Sequence, residues 1–236
     1  MNRFYRKTMA ADGLNYYRVV VKETDLYIAS AVDKSKQAYE FIKKERAVLE
    51  NYIKTNSDFL HALIPLPIDQ KAPLIAKHMY KAANSANVGP MAAVAGAFCQ
   101  RLCEEIYKND NNVIIENGGD IYIKTDRERT VSIYAGKNTL SGKLKIKITP
   151  AMSPIAVCTS SAKFGHSLSL GKADAACILS HDAYLADAAA TSVCNQVKKP
   201  EDIPNVLEYA KDIKDVIGAV IICGGKIGAW GEIEFV

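Results

Sequence analysis

A chain of 236 residues can bury a sizeable core as one domain or two intimately packed lobes, and 49% hydrophobic with 24% charged residues is ordinary for a soluble globular protein. The net charge of +4, from 30 basic and 26 acidic residues, is spread without a basic stripe interleaved with aromatics, which argues against a nucleic-acid partner. No run approaches the ~20 apolar residues that cross a bilayer, and the basic start Met1–Lys7 lacks a following apolar core of signal length, so a cytoplasmic protein with no membrane partner is expected.

In chain order, Tyr16–Val21 and Leu26–Ala29 read as a β-hairpin turning through Lys22-Glu23-Thr24-Asp25. Asp33 stands where an N-cap would start a long amphipathic helix. Ala38, Phe41, Ile42, Glu45, Val48, Leu49, Tyr52 and Ile53 fall on its inner face, and Lys36, Glu40, Lys43, Lys44 and Glu50 on its solvated one. Pro65, Pro67 and Pro73 punctuate a connector, and a helix follows from Leu74 to about Asn84. The next helix is expected over 90–107, with Pro90 in its first turn, where a missing N–H costs nothing. Its run Met91-Ala92-Ala93-Val94-Ala95-Gly96-Ala97 is nearly all small, which permits close backbone packing and predicts burial.

Strands are expected at about 113–116, 120–124, 130–135, 143–148, 154–158 and 175–179. Helices follow over His181–Val197 and Pro200–Lys214, then paired strands around Gly224-Gly225. The pattern is α+β, with mostly antiparallel strands packed against helices, in a single domain over 1–236. The six cysteines, Cys99, Cys103, Cys158, Cys177, Cys194 and Cys223, have long spacings and apolar neighbours. They read as reduced core thiols, since no paired short spacing of a zinc site is present.

Two stretches carry chemistry. Glu116-Asn117-Gly118-Gly119-Asp120-Ile121 ends an apolar run with paired glycines and a carboxylate. It is either a tight strand-to-strand turn or a backbone cradle for a ligand. In Ala186-Asp187-Ala188-Ala189-Ala190-Thr191, the carboxylate of Asp187 and the hydroxyl of Thr191 are i and i+4 on one helical face. Such a pair suits a hard cation, or is a surface Asp beside a Thr bonded to its own helix. Gly165–Lys172 is not a P-loop, because five residues separate its glycines and Ala173 replaces the metal-binding hydroxyl. Gly224-Gly225-Lys226-Ile227-Gly228 lacks a βαβ context and reads as a hairpin turn.

The ordered set Asn87-Val88-Gly89-Pro90-Met91-Ala92, Asn117-Gly118-Gly119-Asp120-Ile121, Cys158-Thr159-Ser160-Ser161, Gly165-His166-Ser167 and Ala186–Thr191 resembles the ApbE superfamily of flavin transferases, closest to its short, soluble branch. The resemblance covers about residues 80–197 well and the flanks by layout. It implies an ApbE-like fold with FAD and Mg²⁺ as cofactors. Asp187 and Thr191 would hold the metal, together with a backbone carbonyl near Gly89–Ala92. Gly118, Gly119, Asp120, Thr159 and Ser160 would bind the flavin nucleotide, with His166 as the catalytic candidate for orientation or proton transfer. The N-terminus of the 90–107 helix would add free amides to anion binding.

The implied reaction passes FMN from FAD to a hydroxyl acceptor with loss of AMP. After His166 the chain reads Leu168-Ser169-Leu170-Gly171-Lys172, where active transferases carry an Asp-Pro-x-Thr-Gly-like loop. Two other readings therefore stand beside it: an accessory protein of sulfur or thiol metabolism, with Cys158 the residue to test, and an inactive binding or assembly module. Self-association into a homo-oligomer is left open.

Overall fold

The computed structural model describes residues 3–136, 141–162 and 171–236. The hairpin forms as the alternating pattern requires. β1 (Asn15–Val21) pairs antiparallel with β2 (Thr24–Ser30) through the two-residue turn Lys22-Glu23, with Lys22 at a φ of +54°. Asp33 accepts from the Ser35 amide at 2.7 Å and opens α1 (Ser35–Thr55). α1 buries Ala38, Ile42 and Leu49, while Val48, placed on its inner face by spacing, is 38% exposed. A short helix α2 (Ser57–His61) and the proline-marked connector lead to α3 (Leu74–Ala86). Asn87, in the left-handed region, ends α3 with its amide on the Ala83 carbonyl.

The single helix expected over 90–107 is two pieces: a 3₁₀ turn, Pro90–Ala93, then α4 (Val94–Ile106). Pro90 is the first residue of the turn, where its lack of an N–H is harmless. Strands β3 (Val113–Asn117), β4 (Asp120–Lys124), β5 (Arg129–Ser132), β6 (Lys145–Ile148), β7 (Ile155–Ser160) and β8 (Ala175–Ser180) follow. Helices α5 (Ala183–Gln196) and α6 (Ile203–Asp212) precede the last hairpin, β9 (Val216–Cys223) and β10 (Lys226–Gly231). That hairpin turns on Gly224 and Gly225, both at positive φ, as the sequence suggested.

Among the described residues the main sheet has eight strands in the order β1-β2-β3-β4-β7-β8-β9-β10, each paired antiparallel with its neighbour. The β5–β6 hairpin leaves this sheet and forms a second one. Successive side chains on a strand point to opposite faces, and both faces of the central strands are covered. Tyr122, Ala156, Cys158 and Ile178 join the large core under the helices. Ile121, Ile123, Val157 and Leu179 join Val131, Ile146 and Ile148 of the small sheet. This explains why β8 is buried at all six positions, a pattern without alternation. The α+β class expected from the sequence is the observed one. Among the described residues no helix is long and apolar enough to cross a membrane.

Candidate functional site

The site is built where the end of β3, the start of α4 and one face of α5 meet. Small residues make this approach possible. A Cβ on Gly96 would lie 2.1 Å from the Ala183 carbonyl oxygen and 3.0 Å from the Asp187 Cβ, so α4 and α5 cross with backbone against backbone. The crossing brings the Gly96 amide to 2.9 Å from Asp187 Oδ2. The first amides of a helix have no partner in their own helix, and Ala93, at the N-cap of α4, has no side-chain oxygen to offer them. Asp187 supplies it from the neighbouring helix. The free amides expected at this helix start for an external anion are thus engaged by a carboxylate of the chain itself. The smallness of the 91–97 run was visible in the sequence, but the specific role of Gly96 was not.

Gly118 and Gly119 form the two-residue turn of the β3–β4 hairpin, at φ of +72° and +112°, with Asn117 paired to Asp120 across it. The turn alone accounts for both glycines. A Cβ on Gly119 would meet only the Thr159 carbonyl oxygen, at 3.9 Å, so the turn's outer side is open. Asp120 does not bond its own turn. It is buried, and Oδ1 accepts from the Thr159 amide of β7 at 3.2 Å. Asn117 turns its amide to the Ala95 carbonyl at 3.3 Å and ties β3 to α4. Glu116, 1% exposed, accepts from the Gly119 amide at 2.8 Å and sets the turn from behind.

Burial pushes the Asp187 carboxyl up to about 7, although the Gly96 and Ala95 amides pull it down. Asp120 is pushed well above the carboxylate range, first by burial and then by the charge of Asp187, while the Thr159 amide works the other way. With the charge of Asp187 near it, buried Asp120 favours its protonated form, and a nearby cation would favour the ionised one. Ser160, buried at the end of β7, has a hydroxyl with no hydrogen-bond partner.

A cleft of about 990 Å³ opens in front of this group. Its walls include Asn117, Ala95, Thr191 and Asn195, the segment Val88-Gly89 and Met91-Ala92, and the apolar side chains of Leu49, Ile53, Leu60, Leu63 and Phe98. Gly89 is pinned there, since a Cβ would fall 1.7 Å from the Ala62 carbonyl oxygen. Thr191 and Asn195 follow Asp187 at i+4 and i+8, so one face of α5 serves the cleft. Of the expected residues, Thr191 lines the cleft, while Asp120, Asp187, Thr159 and the Gly118-Gly119 turn group beside it without lining it, with Ser160 next to Thr159. His166, with Gly165 and Ser167, lies outside the described residues. Among the described residues no three His, Cys, Asp or Glu side chains group as metal ligands. A site completed by the Thr191 hydroxyl and a backbone carbonyl is not of that kind.

All six cysteines are buried, and none is in a disulfide. Cys158 lies under the site with its thiol pushed up by burial and by the charges of Asp120 and Asp187. A thiol so held is not a nucleophile.

A family model described as "AbpE bacteria" matches residues 6–229. A UPF0280 protein of Methanocaldococcus jannaschii is 39% identical over 223 residues, covering 92% of this chain and 90% of its own. A UPF0280 protein of Methanococcus maripaludis is 41% identical over 222 residues, with the same coverage. Among solved structures, the ApbE protein of Thermotoga maritima aligns with a TM-score of 0.57 at 13% identity, over 91% of this chain and 96% of that one. The apo flavinyl transferase ApbE of Pseudomonas stutzeri aligns with a TM-score of 0.57 at 9% identity, over 92% and 94%. These two establish a shared fold.

Proposed function

The chain belongs to the ApbE-like family whose model spans it, and from that premise we propose that it binds FAD with Mg²⁺ in the cleft beside β3 and α5 and passes FMN to a hydroxyl acceptor. One observation carries the reading: two buried carboxyls with raised pKa values, Asp120 and Asp187, lie beside a mostly apolar cleft of about 990 Å³, where Asp187 holds the start of α4 that forms part of its wall. That volume lies at the upper end of small-molecule sites. The apolar wall of Leu49, Ile53, Leu60, Leu63 and Phe98 suits a flat ring system, and the opposite side, with Asn117, Thr191 and Asn195, suits a polar linker.

The residues present fit a hard divalent cation. Asp187 keeps acceptor capacity beyond its amide bonds, because each carboxylate oxygen has two lone pairs. Thr191 follows one turn on, and the Gly89–Ala92 segment faces it across the cleft. A divalent cation bound there would neutralise the pyrophosphate and stabilise the leaving phosphate. The chain's own groups do the rest. The Gly118-Gly119 turn, open on its outer side, lets backbone approach the nucleotide. Ser160 offers its unpaired hydroxyl. In the transfer, the acceptor hydroxyl oxygen bonds to the FMN-side phosphorus and the bond to the bridging oxygen breaks. AMP leaves with that oxygen, and the hydroxyl proton passes to a base, for which His166 remains the candidate.

Calorimetric titration with FAD tests the proposal. Binding should require Mg²⁺ and be lost in Asp187→Ala. FAD affinity that is the same with Mg²⁺, with EDTA and in Asp187→Ala would remove the metal-bridged site.

A further inference from the structure

The start of the chain is strapped to the site rather than left to fray. Its 3₁₀ turn, Phe4–Thr8, carries Arg6, whose Nε donates to Glu116 Oε2 at 2.6 Å and whose Nη1 donates to Asp25 Oδ1 at 2.8 Å. Tyr5 donates its hydroxyl to the other Glu116 oxygen at 2.8 Å. That same oxygen, Oε1, holds the Gly119 amide. The strap and the glycine turn therefore share one buried carboxylate.

The strap delivers Arg3 to the cleft. Arg3 lines it, and a Cβ on Gly118 would lie 3.6 Å from Arg3 Nη2. Elsewhere Arg3 contacts Asp25 through one of its nitrogens, Nη1. It donates to the Asp25 carbonyl and stands 3.6 Å from Asp25 Oδ2. The Asp25 carboxylate is already taken by Arg6 at 2.8 Å and by both donors of Arg18 at 2.8 and 2.9 Å. A guanidinium has five N–H donors, so Arg3 has capacity left for a second anion. On the rim of the cleft Lys22 and Arg46 pair with Glu23 and Glu50, which leaves Arg3 and Lys54 as its net positive charge.

We propose that Arg3 is a phosphate-contacting residue of the cleft, held at the Gly118-Gly119 turn by the Arg6–Glu116–Tyr5 strap, and that it selects ligands carrying phosphate. The inference rests on the nucleotide reading above and adds a residue to it. Its chemistry is a charge-assisted hydrogen bond from a planar fork to phosphate oxygens.

The experiment is calorimetry on the whole chain with FAD, ADP and riboflavin, each with Mg²⁺, comparing wild type with Arg3→Gln and Arg3→Lys. Arg3→Gln should weaken FAD and ADP by roughly ten- to a hundredfold, the range of a hydrogen bond to a charged group. Riboflavin, which has no phosphate, should bind wild type and Arg3→Gln alike, and Arg3→Lys should recover part of the loss. Equal FAD affinity in wild type and Arg3→Gln overturns the role of Arg3 and leaves the flavin reading standing. An ADP affinity that falls in Arg3→Gln while FAD never binds supports Arg3 and removes the flavin. Loss of riboflavin together with FAD would make Arg3 a structural residue, and wild type that binds neither FAD nor ADP overturns both proposals.

Discussion

At the scale of single residues, Asp187 carries two duties that pull in different directions. Its carboxylate caps α4, and it sits buried beside Asp120 with a folded pKa of about 7 against an ordinary 3.8. A carboxyl with a raised pKa binds its proton more tightly in the folded state. Its contribution to stability is therefore complete below the ordinary value of 3.8 and is lost as pH rises through about 7. The unliganded protein should thus lose thermal stability between about pH 5 and pH 8, and Asp187→Asn should flatten that slope. Mg²⁺ should stabilise at about pH 8, where Asp187 is ionised, and do little at about pH 5. Thermal denaturation at both pH values, with and without Mg²⁺, checks this; an unchanged slope in Asp187→Asn contradicts it. Gly96 is the second decisive residue. In Gly96→Ala the new methyl would meet the Ala183 carbonyl oxygen at 2.1 Å, backbone that cannot rotate aside. It should cost about 3 kcal/mol or more, the upper range of overpacking, read as a lower urea midpoint. The i, i+4 spacing of Asp187 and Thr191 was legible in the sequence. The capping of α4 by Asp187 was not, because it depends on how two helices cross.

At the scale of elements, the strap from the Phe4–Thr8 turn to β3 is the least local feature of the fold. Arg6 is 8% exposed and Glu116 1%, so their ion pair is effectively dry. Removing one partner of a buried pair leaves an uncompensated charge and costs about 3–5 kcal/mol. Glu116→Ala should destabilise by that amount, while the double variant Arg6→Met, Glu116→Leu should cost less than the single one. Chemical denaturation of both measures the difference, and a double variant as unstable as the sum of singles would show that the pair is not coupled. Most elements were legible because their periods are clean: the hairpin of β1 and β2, the buried Ala38, Ile42 and Leu49 of α1, the proline before α3 and the paired glycines before β10. The strap was not, because Arg6 reads as one more basic residue near the chain start and Glu116 as a strand residue. Glu50, assigned to the solvated face of α1, instead lines the cleft and pairs with Lys22 and Arg46. One-dimensional periodicity places a residue on a face but does not say what covers it.

At the scale of the whole molecule, the central strands of the sheet are buried on both sides, with helices on one face and the β5–β6 hairpin on the other. The departure of β5–β6 from the main sheet, which lets β4 pair with β7, could not be read from strand spacing. The cleft forms where the end of β3 at Asn117 meets α1, the start of α4 and Thr191 and Asn195 of α5. The cleft is proposed to hold a flavin nucleotide through a cation on Asp187. A ligand at a hundredfold excess over its Kd stabilises the folded state by about 2.7 kcal/mol. For a chain of this size each kcal/mol moves Tm by roughly 2–4 °C. The most direct measurement is therefore the Tm of the purified protein at about pH 8 with saturating FAD and Mg²⁺. The account predicts a rise of about 5–10 °C that shrinks with EDTA and vanishes in Asp187→Ala; no rise with FAD, FMN or ADP would contradict it.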